Sequence, residues 1–383
     1  MNPCAGLAKS LVELPGEINA ILAAPMLEAC QNAESPQRFP GEAGERNQNN
    51  TKNQSGARAM TKAIRIHQTG GPDVLRFEDV EIGDPAPGEI KIRQHAVGVN
   101  YIDVYFRTGL YVAPALPFTP GNEGAGEVLA VGRDVKGFVA GDRVAYAGAL
   151  GGYAQERLID QKFVVRLPKA ISYETGAAMM LKGLTAQFLL RRTFRVKKGD
   201  TVLVHAAAGG VGQLLCQWAW ALGATVIGTV GSAEKMPLAK KAGAKHVINY
   251  STADFAAKVK DITKGNLCDV VYDGVGKATF AGSLDCLSPF GMYVNYGSAS
   301  GPVDNFSLGL LAQKGSLFAT RPTLFTYIAK RSDLDKMARE LFKAVATGDI
   351  AVPVHASWPL EEAAKAHVAL EARRTTGSTI LVP

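Results

Sequence analysis

A glycine-rich turn at residues 207–212 has the residue types and the spacing that could bind a dinucleotide. It reads Ala-Ala-Gly-Gly-Val-Gly, a near match to G-x-G-x-x-G in which Ala207 takes the first glycine position. The apolar run TVLVHA precedes it and an apolar helical pattern follows it, which is the context that this motif requires. Gly209 would let a pyrophosphate lie against the backbone, and Gly212 would let the helix pack close to the strand. The turn therefore predicts a dinucleotide site, and a glycine-rich turn without a ligand is the alternative.

The end of the next strand bears on which dinucleotide would bind. Sites for NAD usually place Asp or Glu at this strand tip, where the carboxylate holds the ribose 2′-hydroxyl. Here the strand TVIGTV ends at Gly231 and Ser232. Lys235 follows one turn into the next helix, and Glu234 lies inside that helix. A small residue, a hydroxyl and a lysine suit a 2′-phosphate, so the pattern favours NADPH; for Lys235 alone, a solvated lysine on a helix surface is the alternative.

Strands and helices alternate from residue 183 onward. The strands TVLVHA, TVIGTV, HVINY, DVVYDGV and GMYVNYG are separated by helical stretches, two of which are expected near 210–222 and 233–242. Strands that are separated by helices of roughly 10–15 residues are typical of a parallel, doubly wound sheet. The pattern therefore predicts such a sheet in this part of the chain.

The two flanking regions have a different pattern. Residues 60 to about 165 carry short apolar runs between glycine and proline turns, which predicts a β-rich domain. After about residue 320 come a long helix (RSDLDKMARELFKAVATG), a short strand (AVPVHASWPL), a second helix (LEEAAKAHVALEAR) and a last strand (STILVP). We expect these last elements to return to the first domain.

Residues 1–59 differ in composition from the rest of the chain. The stretch AESPQRFPGEAGERNQNNTKNQSGARA is polar and has hardly any β-branched or aromatic residues, so it has little apolar surface to offset the entropy cost of ordering. A basic start with a continuous apolar core is absent, which disfavours a secretory signal peptide, and the segment is too acidic for a typical mitochondrial presequence. Two interpretations stay open: a disordered tail, or an extension upstream of a true start at Met60.

The composition limits the class of protein. The chain has 383 residues, of which 47% are hydrophobic and 20% are charged, and this suits a folded protein of two or three domains. The net charge of +7 is not gathered in a block of Lys and Arg, and no apolar run reaches the roughly 18 residues that cross a bilayer. The cysteines form no C-x-x-C pair, so we expect reduced thiols in a cytoplasmic protein; they are Cys4, Cys30, Cys216, Cys268 and Cys286.

From Met60 to Pro383 the sequence resembles the quinone oxidoreductases related to zeta-crystallin, in the medium-chain dehydrogenase/reductase superfamily. The resemblance rests on several stretches taken together, among them HQTGGPDVLRFEDV, VGVNYIDVYFRTGLY, PGNEGAGEVLAVG, LKGLTAQFLLRRTF, HAAAGGVGQLLCQWA, VVYDGVG and QKGSLFATRPTL. It implies a β-rich, GroES-like catalytic domain formed by residues 60–183 and 321–383, with a Rossmann domain, residues 184–320, inserted between them. It also implies reduction of quinones with NADPH in the cleft between the domains, and a homodimer paired through the edges of the Rossmann sheets.

The resemblance also implies which residues form the site. Those expected to line the cleft near the nicotinamide are Asn100, Asp103, Tyr105 and Tyr111, of which Asn100 and the two tyrosines could donate hydrogen bonds to a developing oxyanion. Those expected to bind the cofactor are Lys182 and Thr185 at the domain junction, Gly209, Gly210 and Val211 at the pyrophosphate, Gly231, Ser232, Lys235 and Tyr250 at the 2′-phosphate, Tyr296, Gly297 and Ser298 after the fifth strand, and Arg321 and Arg373.

The chain departs from the zinc-dependent members of this superfamily. The zinc alcohol dehydrogenases have a Cys near the position of Asn100 and Gly-His-Glu where this chain has Gly-Asn-Glu at 121–123. Because those ligands are absent and no Cys lies between residues 31 and 215, we expect neither a catalytic nor a structural zinc. Two alternatives to quinone reduction stay open: an NADPH-dependent reductase of enone or alkenal C=C bonds, and a non-catalytic protein that binds NADPH or RNA.

Overall fold

The structure is a computed structural model that describes residues 59–383. The N-terminal segment for which a tail or an upstream extension is predicted lies outside the described residues, apart from Ala59. The first described strand spans Ala59–Arg65, so Met60 stands close to its start.

The described residues form two main sheets and a set of connecting helices. The strands, in chain order, are β1 (Ala59–Arg65), β2 (Arg76–Ile82), β3 (Glu89–Val99), β4 (Glu123–Val131), β5 (Arg143–Ala147), β6 (Glu156–Asp160), β7 (Val164–Arg166), β8 (Thr201–Val204), β9 (Thr225–Val230), β10 (His246–Asn249), β11 (Cys268–Asp273), β12 (Leu287–Asn295), β13 (Phe318–Thr320), β14 (Val354–Pro359) and β15 (Ser378–Val382). The α-helices are α1 (Tyr101–Thr108), α2 (Tyr173–Phe188), α3 (Gly210–Ala221), α4 (Met236–Lys241), α5 (Phe255–Ile262), α6 (Phe280–Asp285), α7 (Leu308–Gln313), α8 (Leu324–Tyr327), α9 (Arg331–Ala346) and α10 (Ala363–Glu371). Short 3₁₀ segments cover Pro72–Val74, Gln161–Phe163, Ala233–Lys235 and Leu360–Glu362, and a π-helical turn, Leu189–Thr193, continues α2.

Six strands form a parallel sheet in the order β10-β9-β8-β11-β12-β13. Val202, Leu203 and Val204 of β8 are fully buried, as expected for a strand with helices on both faces of its sheet. Counted along the chain, the order is 3-2-1-4-5-6, the Rossmann order, in which a ligand binds at the carboxyl ends of the strands where the order reverses. This point lies between β8 and β11. The prediction of a parallel, doubly wound sheet is confirmed.

The second sheet has the order β14-β15-β3-β4-β5-β7, with β6 also paired to β3. The last strand, β15, lies antiparallel to β3, with Ile380 opposite Gly98, so the chain returns to its first long strand. This arrangement agrees with a GroES-like domain built from both ends of the chain, and the predicted fold class is confirmed. The boundaries at residues 183 and 320 stay a prediction; the first falls inside α2, which packs against the second sheet and against helix α3 of the Rossmann half.

Helix α2 lies between the two sheets and carries two of the predicted site residues. It packs against β3, β4 and β5 on one side and against α3 on the other. The long helix α9 also packs on α2: a Cβ added to Gly183 would lie 2.6 Å from Leu341 Cδ1, so only glycine allows this approach. Lys182 and Thr185 are therefore held by a buried helix at the junction of the sheets.

Helix α1 begins directly after β3 and ends at a glycine. Asp103, in its first turn, accepts a hydrogen bond from the Asn100 backbone N–H at 2.9 Å, which satisfies one donor at the helix start. Gly109 ends the helix with a φ of 85°, a conformation that glycine adopts without steric cost. These two ends fix the length of α1 and thereby the place of its tyrosines.

Candidate active-site cleft

A cavity of about 480 Å³ lies between the two sheets, at the carboxyl ends of the parallel strands. We call it the cleft. All predicted site residues except Asp103 and Ser298 line it: Asn100, Tyr105, Tyr111, Lys182, Thr185, Gly209, Gly210, Val211, Gly231, Ser232, Lys235, Tyr250, Tyr296, Gly297, Arg321 and Arg373. The two sheets thus bring together residues that lie more than 270 positions apart in the sequence.

The glycine turn forms the floor of the cleft at the start of α3. A Cβ added to Gly210 would lie 2.8 Å from Lys182 Cδ, and one added to Gly212 would lie 2.2 Å from the Ala206 carbonyl oxygen. Side chains at these two positions are therefore excluded by packing, and the backbone stays bare. The first turn of a helix also has N–H groups without intrahelical partners, and these attract phosphate oxygens.

One corner of the cleft gathers the residues that are predicted to bind a 2′-phosphate. Lys235 Nζ donates to the carbonyl oxygens of Arg373, at 2.5 Å, and Thr375, at 3.4 Å. Partial burial and the nearby Arg373 guanidinium lower the pKa of Lys235. Tyr250 lies beside the strand tip, since a Cβ on Gly231 would come within 2.8 Å of its hydroxyl oxygen. The corner therefore combines two cations and two hydroxyl-bearing side chains.

The charge of the whole cleft has one sign. Lys182, Lys235, Arg321 and Arg373 line it, and no Asp or Glu side chain does so among residues 59–383. Glu234, the carboxylate nearest to the strand tip in sequence, is not part of the lining. A bare glycine turn and an excess of positive charge fit the pyrophosphate and the 2′-phosphate of NADPH.

The other end of the cleft presents two tyrosine hydroxyls. The Ser298 backbone N–H donates to Tyr105 Oη at 2.9 Å, and burial raises the pKa of Tyr105 to about 12. Arg321 Nη2 donates to Tyr111 Oη at 3.3 Å, and the two tyrosine rings meet edge to face, with centroids 5.2 Å apart. Because each hydroxyl oxygen already accepts a hydrogen bond, its own proton can be donated into the cleft.

Two predicted side chains do not line the cleft. Ser298 contributes through its backbone N–H. Asp103 is fully buried, and its carboxylate accepts hydrogen bonds from the Asn100 N–H, from Asn122 Nδ2 at 3.0 Å and from Tyr153 Oη at 3.1 Å. The expectation that Asp103 lines the cleft was wrong, because it lies two residues from both Tyr101 and Tyr105 and so occupies the opposite face of α1.

Glu123 is a residue that the sequence analysis did not assign to the site. It is fully buried, and its Oε1 accepts hydrogen bonds from Lys182 Nζ and, at 2.8 Å, from Asn100 Nδ2. Its Oε2 accepts from the Leu181 backbone N–H at 2.7 Å. Glu123 therefore orients two lining residues, and a carboxylate at the start of the glycine-rich, apolar stretch EGAGEVLAV was the available signal.

The described residues offer neither a metal cluster nor a membrane-spanning helix. Residues 59–383 contain no group of three or more His, Cys, Asp or Glu side chains that could hold a metal ion. Within the same residues, every helix is too short or too polar to cross a bilayer. The expected lack of zinc stays a prediction for metal analysis.

Comparisons with known proteins agree with this geometry. Residues 86–169 match the alcohol dehydrogenase GroES-like domain, and residues 210–343 match the family described as zinc-binding dehydrogenase. The chain is 51% identical over 325 residues to the quinone oxidoreductase of Pseudomonas aeruginosa, covering 85% of this chain and 100% of that protein. It is 46% identical over 331 residues to the 2-haloacrylate reductase of a Burkholderia species, covering 85% and 99%.

A solved structure gives the same result. The crystal structure of Escherichia coli quinone oxidoreductase complexed with NADPH has a TM-score of 0.83 and 48% sequence identity, and the match covers 84% of this chain and 100% of that one. The resemblance on which the site prediction depends is confirmed over nearly all of residues 60–383. The chain belongs to the zinc-free quinone oxidoreductase family of the medium-chain dehydrogenase/reductase superfamily.

Proposed function

We propose that this protein is an oxidoreductase that reduces quinones with NADPH. The observation that carries the proposal is the cleft itself, in which a bare glycine turn and a basic corner continue into a pair of hydrogen-bonded tyrosine hydroxyls. The relatives named as quinone oxidoreductases, at 51% and 48% identity, support the same activity.

The residues of the cleft would hold the cofactor at two points. Gly209, Gly210 and Val211 would hold the pyrophosphate at the start of α3, and Ser232, Lys235, Tyr250 and Arg373 would hold the 2′-phosphate. NADPH supplies a hydride when it is bound. Lys182 and Thr185 of α2, together with Tyr296 and Gly297 after β12, are proposed to hold the remainder in place.

The tyrosines and Asn100 are proposed to handle the substrate. A quinone takes up one hydride and one proton to become a hydroquinone, and negative charge builds on its oxygen as the hydride arrives. Tyr105 and Tyr111 can donate hydrogen bonds to that oxygen, which stabilises the charge where it develops. Asn100 Nδ2 donates one N–H to Glu123, and its second N–H, which makes a weak 3.5 Å contact with the Gly98 carbonyl oxygen, is proposed to donate a third hydrogen bond to the substrate. The remaining contribution is alignment, for which about 7–11 kcal/mol is available in well-ordered systems.

Steady-state NADPH oxidation with a panel of acceptors tests the activity. The panel contains ortho- and para-quinones, enones, alkenals and 2-haloacrylate at matched concentrations. We expect the highest kcat/KM with quinones. A higher kcat/KM with the C=C substrates would instead support the enone reductase alternative, and no NADPH oxidation with any acceptor would support the non-catalytic one.

We further propose a homodimer that forms in the cytoplasm. Strand β13 is one of the two edge strands of the Rossmann sheet, and the side chains of Phe318 on it and of Phe290 on the neighbouring β12 are 57% and 71% exposed. Apolar side chains on an open sheet edge favour pairing with a second copy. Cys216, Cys268 and Cys286 are buried free thiols, which suits a reducing compartment. Light scattering after size-exclusion chromatography measures the mass, and a monomer would contradict the dimer.

A further inference from the structure

Helix α1 has a second face that the reaction does not touch. Tyr101 and Tyr105 point to the cleft, whereas Asp103 and Arg107 lie on the opposite side and are 0% and 1% exposed. Residues four apart lie on one side of a helix, so this back face brings a buried carboxylate and a buried guanidinium into line. Buried charges are costly unless they are paired, so each of them requires a specific partner.

The partners form a chain of hydrogen bonds whose direction can be assigned. Arg107 Nη1 lies 3.1 Å from His367 Nδ1, and because a guanidinium only donates, Nδ1 must accept. The proton of the neutral ring is then on Nε2, which lies 3.0 Å from Tyr153 Oη and donates to it. Tyr153 Oη in turn donates to Asp103 Oδ2 at 3.1 Å. We call Arg107, His367, Tyr153 and Asp103 the polar chain.

His367 is held neutral in this arrangement. Burial and the adjacent Arg107 charge lower the pKa of His367 to about 3. While Asp103 is ionised, the polar chain therefore has one polarity: it runs from the cation Arg107 to the anion Asp103, with each member donating to the next.

Both ends of the polar chain reach residues of the cleft. At one end, Arg107 Nη1 and Nη2 each donate to the Glu371 carboxylate at 2.8 Å, and Glu371 ends α10 two residues before the lining residue Arg373. At the other end, Asp103 accepts from the backbone N–H of Asn100, which is itself a lining residue. The start of α1 and the segment after α10 are thus tied by one buried set of contacts.

We propose that Asp103 is a positioning residue. Its ionised carboxylate accepts a hydrogen bond from Tyr153 of the polar chain and holds the start of α1, so that Asn100 and Tyr105 are correctly placed in the cleft. This inference rests on the proposed function. A carboxylate can accept from the Asn100 N–H, Asn122 Nδ2 and Tyr153 Oη together, but a protonated carboxyl must itself donate at one oxygen. Protonation therefore breaks one of these contacts and loosens the helix start.

The surroundings of Asp103 place its protonation within reach of mild acid. Burial raises the pKa of Asp103 to about 6, the hydrogen bonds from Asn122, Asn100 and Tyr153 lower it, and the Glu123 charge raises it. Around Asp103, β4 contributes Glu123, which is paired with Lys182 of α2, while α10 contributes His367 and α1 itself contributes Arg107. Of these groups, His367, whose pKa is lowered to about 3 by burial and by the Arg107 charge, stays neutral from pH 5 to pH 9.

The test compares two tyrosine variants across pH. Tyr153→Phe removes the hydroxyl that donates to Asp103. Tyr146→Phe is the matched control, because Tyr146, in β5, is also fully buried but donates to Gln94, outside the polar chain. For each protein, kcat/KM for a quinone is measured from pH 5 to pH 9 with saturating NADPH, and the NADPH dissociation constant is measured separately by fluorescence.

We expect an acid limb with an apparent pKa near 6 in the wild-type protein. In Tyr153→Phe the limb should move upward by about one pH unit, because Asp103 loses a donor that favours its charged form. In Asp103→Asn the limb should vanish and kcat/KM should be at least tenfold lower at pH 8. The NADPH dissociation constant should change less than threefold in Tyr153→Phe, and Tyr146→Phe should keep the wild-type limb.

Variants of His367 decide the matter if Tyr153→Phe does not fold. His367→Gln keeps an N–H donor for Tyr153 and should retain the wild-type limb, whereas His367→Leu removes it and should move the limb upward. An acid limb that is absent from the wild-type protein would overturn the positioning role, and so would a limb that stays in place in Tyr153→Phe or, where that variant does not fold, in His367→Leu. A wild-type protein that reduces no quinone at any pH would refute the proposed function and this inference with it.

Discussion

Replacement of Lys235 by alanine tests the choice of cofactor most directly. Lys235 stands at the basic corner of the cleft, with its Nζ on the carbonyl oxygens of Arg373 and Thr375. NADPH and NADH differ only in the 2′-phosphate, so a residue that binds this group must change the selectivity between them. We expect Lys235→Ala to raise the KM for NADPH much more than the KM for NADH.

The size of the effect follows from the charge and exposure of this lysine. Two unit charges 4 Å apart interact by about 4 kcal/mol at an effective dielectric constant of 20, and desolvation offsets a large part of this. Charge-assisted hydrogen bonds contribute about 1.5–3 kcal/mol net. Because Lys235 is only partly buried, we expect the lower end, about 1.5–2 kcal/mol, which corresponds to roughly 10- to 30-fold in KM.

The assay is the ratio of kcat/KM for NADPH to that for NADH with one quinone at saturation. The ratio removes any loss that comes from the broken contacts to the Arg373 and Thr375 carbonyls, since that loss affects both cofactors. Lys240→Ala is the matched control, because Lys240 is an exposed lysine on the neighbouring helix α4 and does not line the cleft. An unchanged ratio in Lys235→Ala, with a folded protein, would show that the 2′-phosphate is bound elsewhere or not at all.

Four further outcomes are expected. Tyr105→Phe should lower kcat for quinones by about 100-fold with little change in the KM for NADPH, since one donor to the developing charge is lost; a kcat within twofold of the wild-type value would contradict the role of its hydroxyl. His367 is protonated below about pH 6.5 in the unfolded chain but only near pH 3 in the folded one, so it makes the free energy of unfolding fall as the pH is lowered between these values. Calorimetry of His367→Gln should show a free energy of unfolding that depends less steeply on pH in this range. Chelation with EDTA should leave activity unchanged, and metal analysis should find no stoichiometric zinc. Activity that is lost with EDTA and restored by zinc would contradict the inference that the chain lacks the Cys and His ligands of a catalytic zinc. A chain that begins at Met60 should keep its turnover number and a melting temperature within about 2 °C, under roughly 1 kcal/mol for a protein of this size, because every candidate site residue lies after this position.

Local sequence patterns were sufficient for the Rossmann half of the fold. Strands β8, β9 and β11 are largely apolar and buried because a parallel sheet is covered by helices on both faces, and these runs therefore stand out against the helices between them. The glycine turn was recognised from the same apolar pattern, because the motif predicts a dinucleotide site only when a strand precedes it and a helix follows it. The strand-tip residues Gly231 and Ser232 followed from the rule that ligands bind at the carboxyl ends of such strands.

The face of a short helix could not be predicted in the same way. In the eight residues of α1, polar or aromatic side chains occur on both sides, so periodicity alone does not show which side is buried. The family resemblance implied that Asp103 lines the cleft, and only the contacts with Asn122 and Tyr153 show that it points inward. Ser298 poses a different difficulty, because it acts through a backbone N–H, which leaves no trace in the residue type.

Partners that are distant in the sequence set the orientation of the residues that the pattern identified. Glu123 meets Lys182 across 59 positions, and Arg107 meets Glu371 across 264. A charged side chain is stable in a buried position only when the packing of other elements brings an oppositely charged partner next to it. These pairs therefore depend on the whole fold and cannot be predicted from a local stretch of sequence. Motifs therefore predict which residue types lie near the cofactor. The orientation of Asn100, Lys182 and Tyr105, however, depends on the carboxylates of Glu123 and Asp103, which do not line the cleft. Substitutions at Glu123 or Asp103 should therefore change the geometry of catalysis although no lining residue is itself replaced.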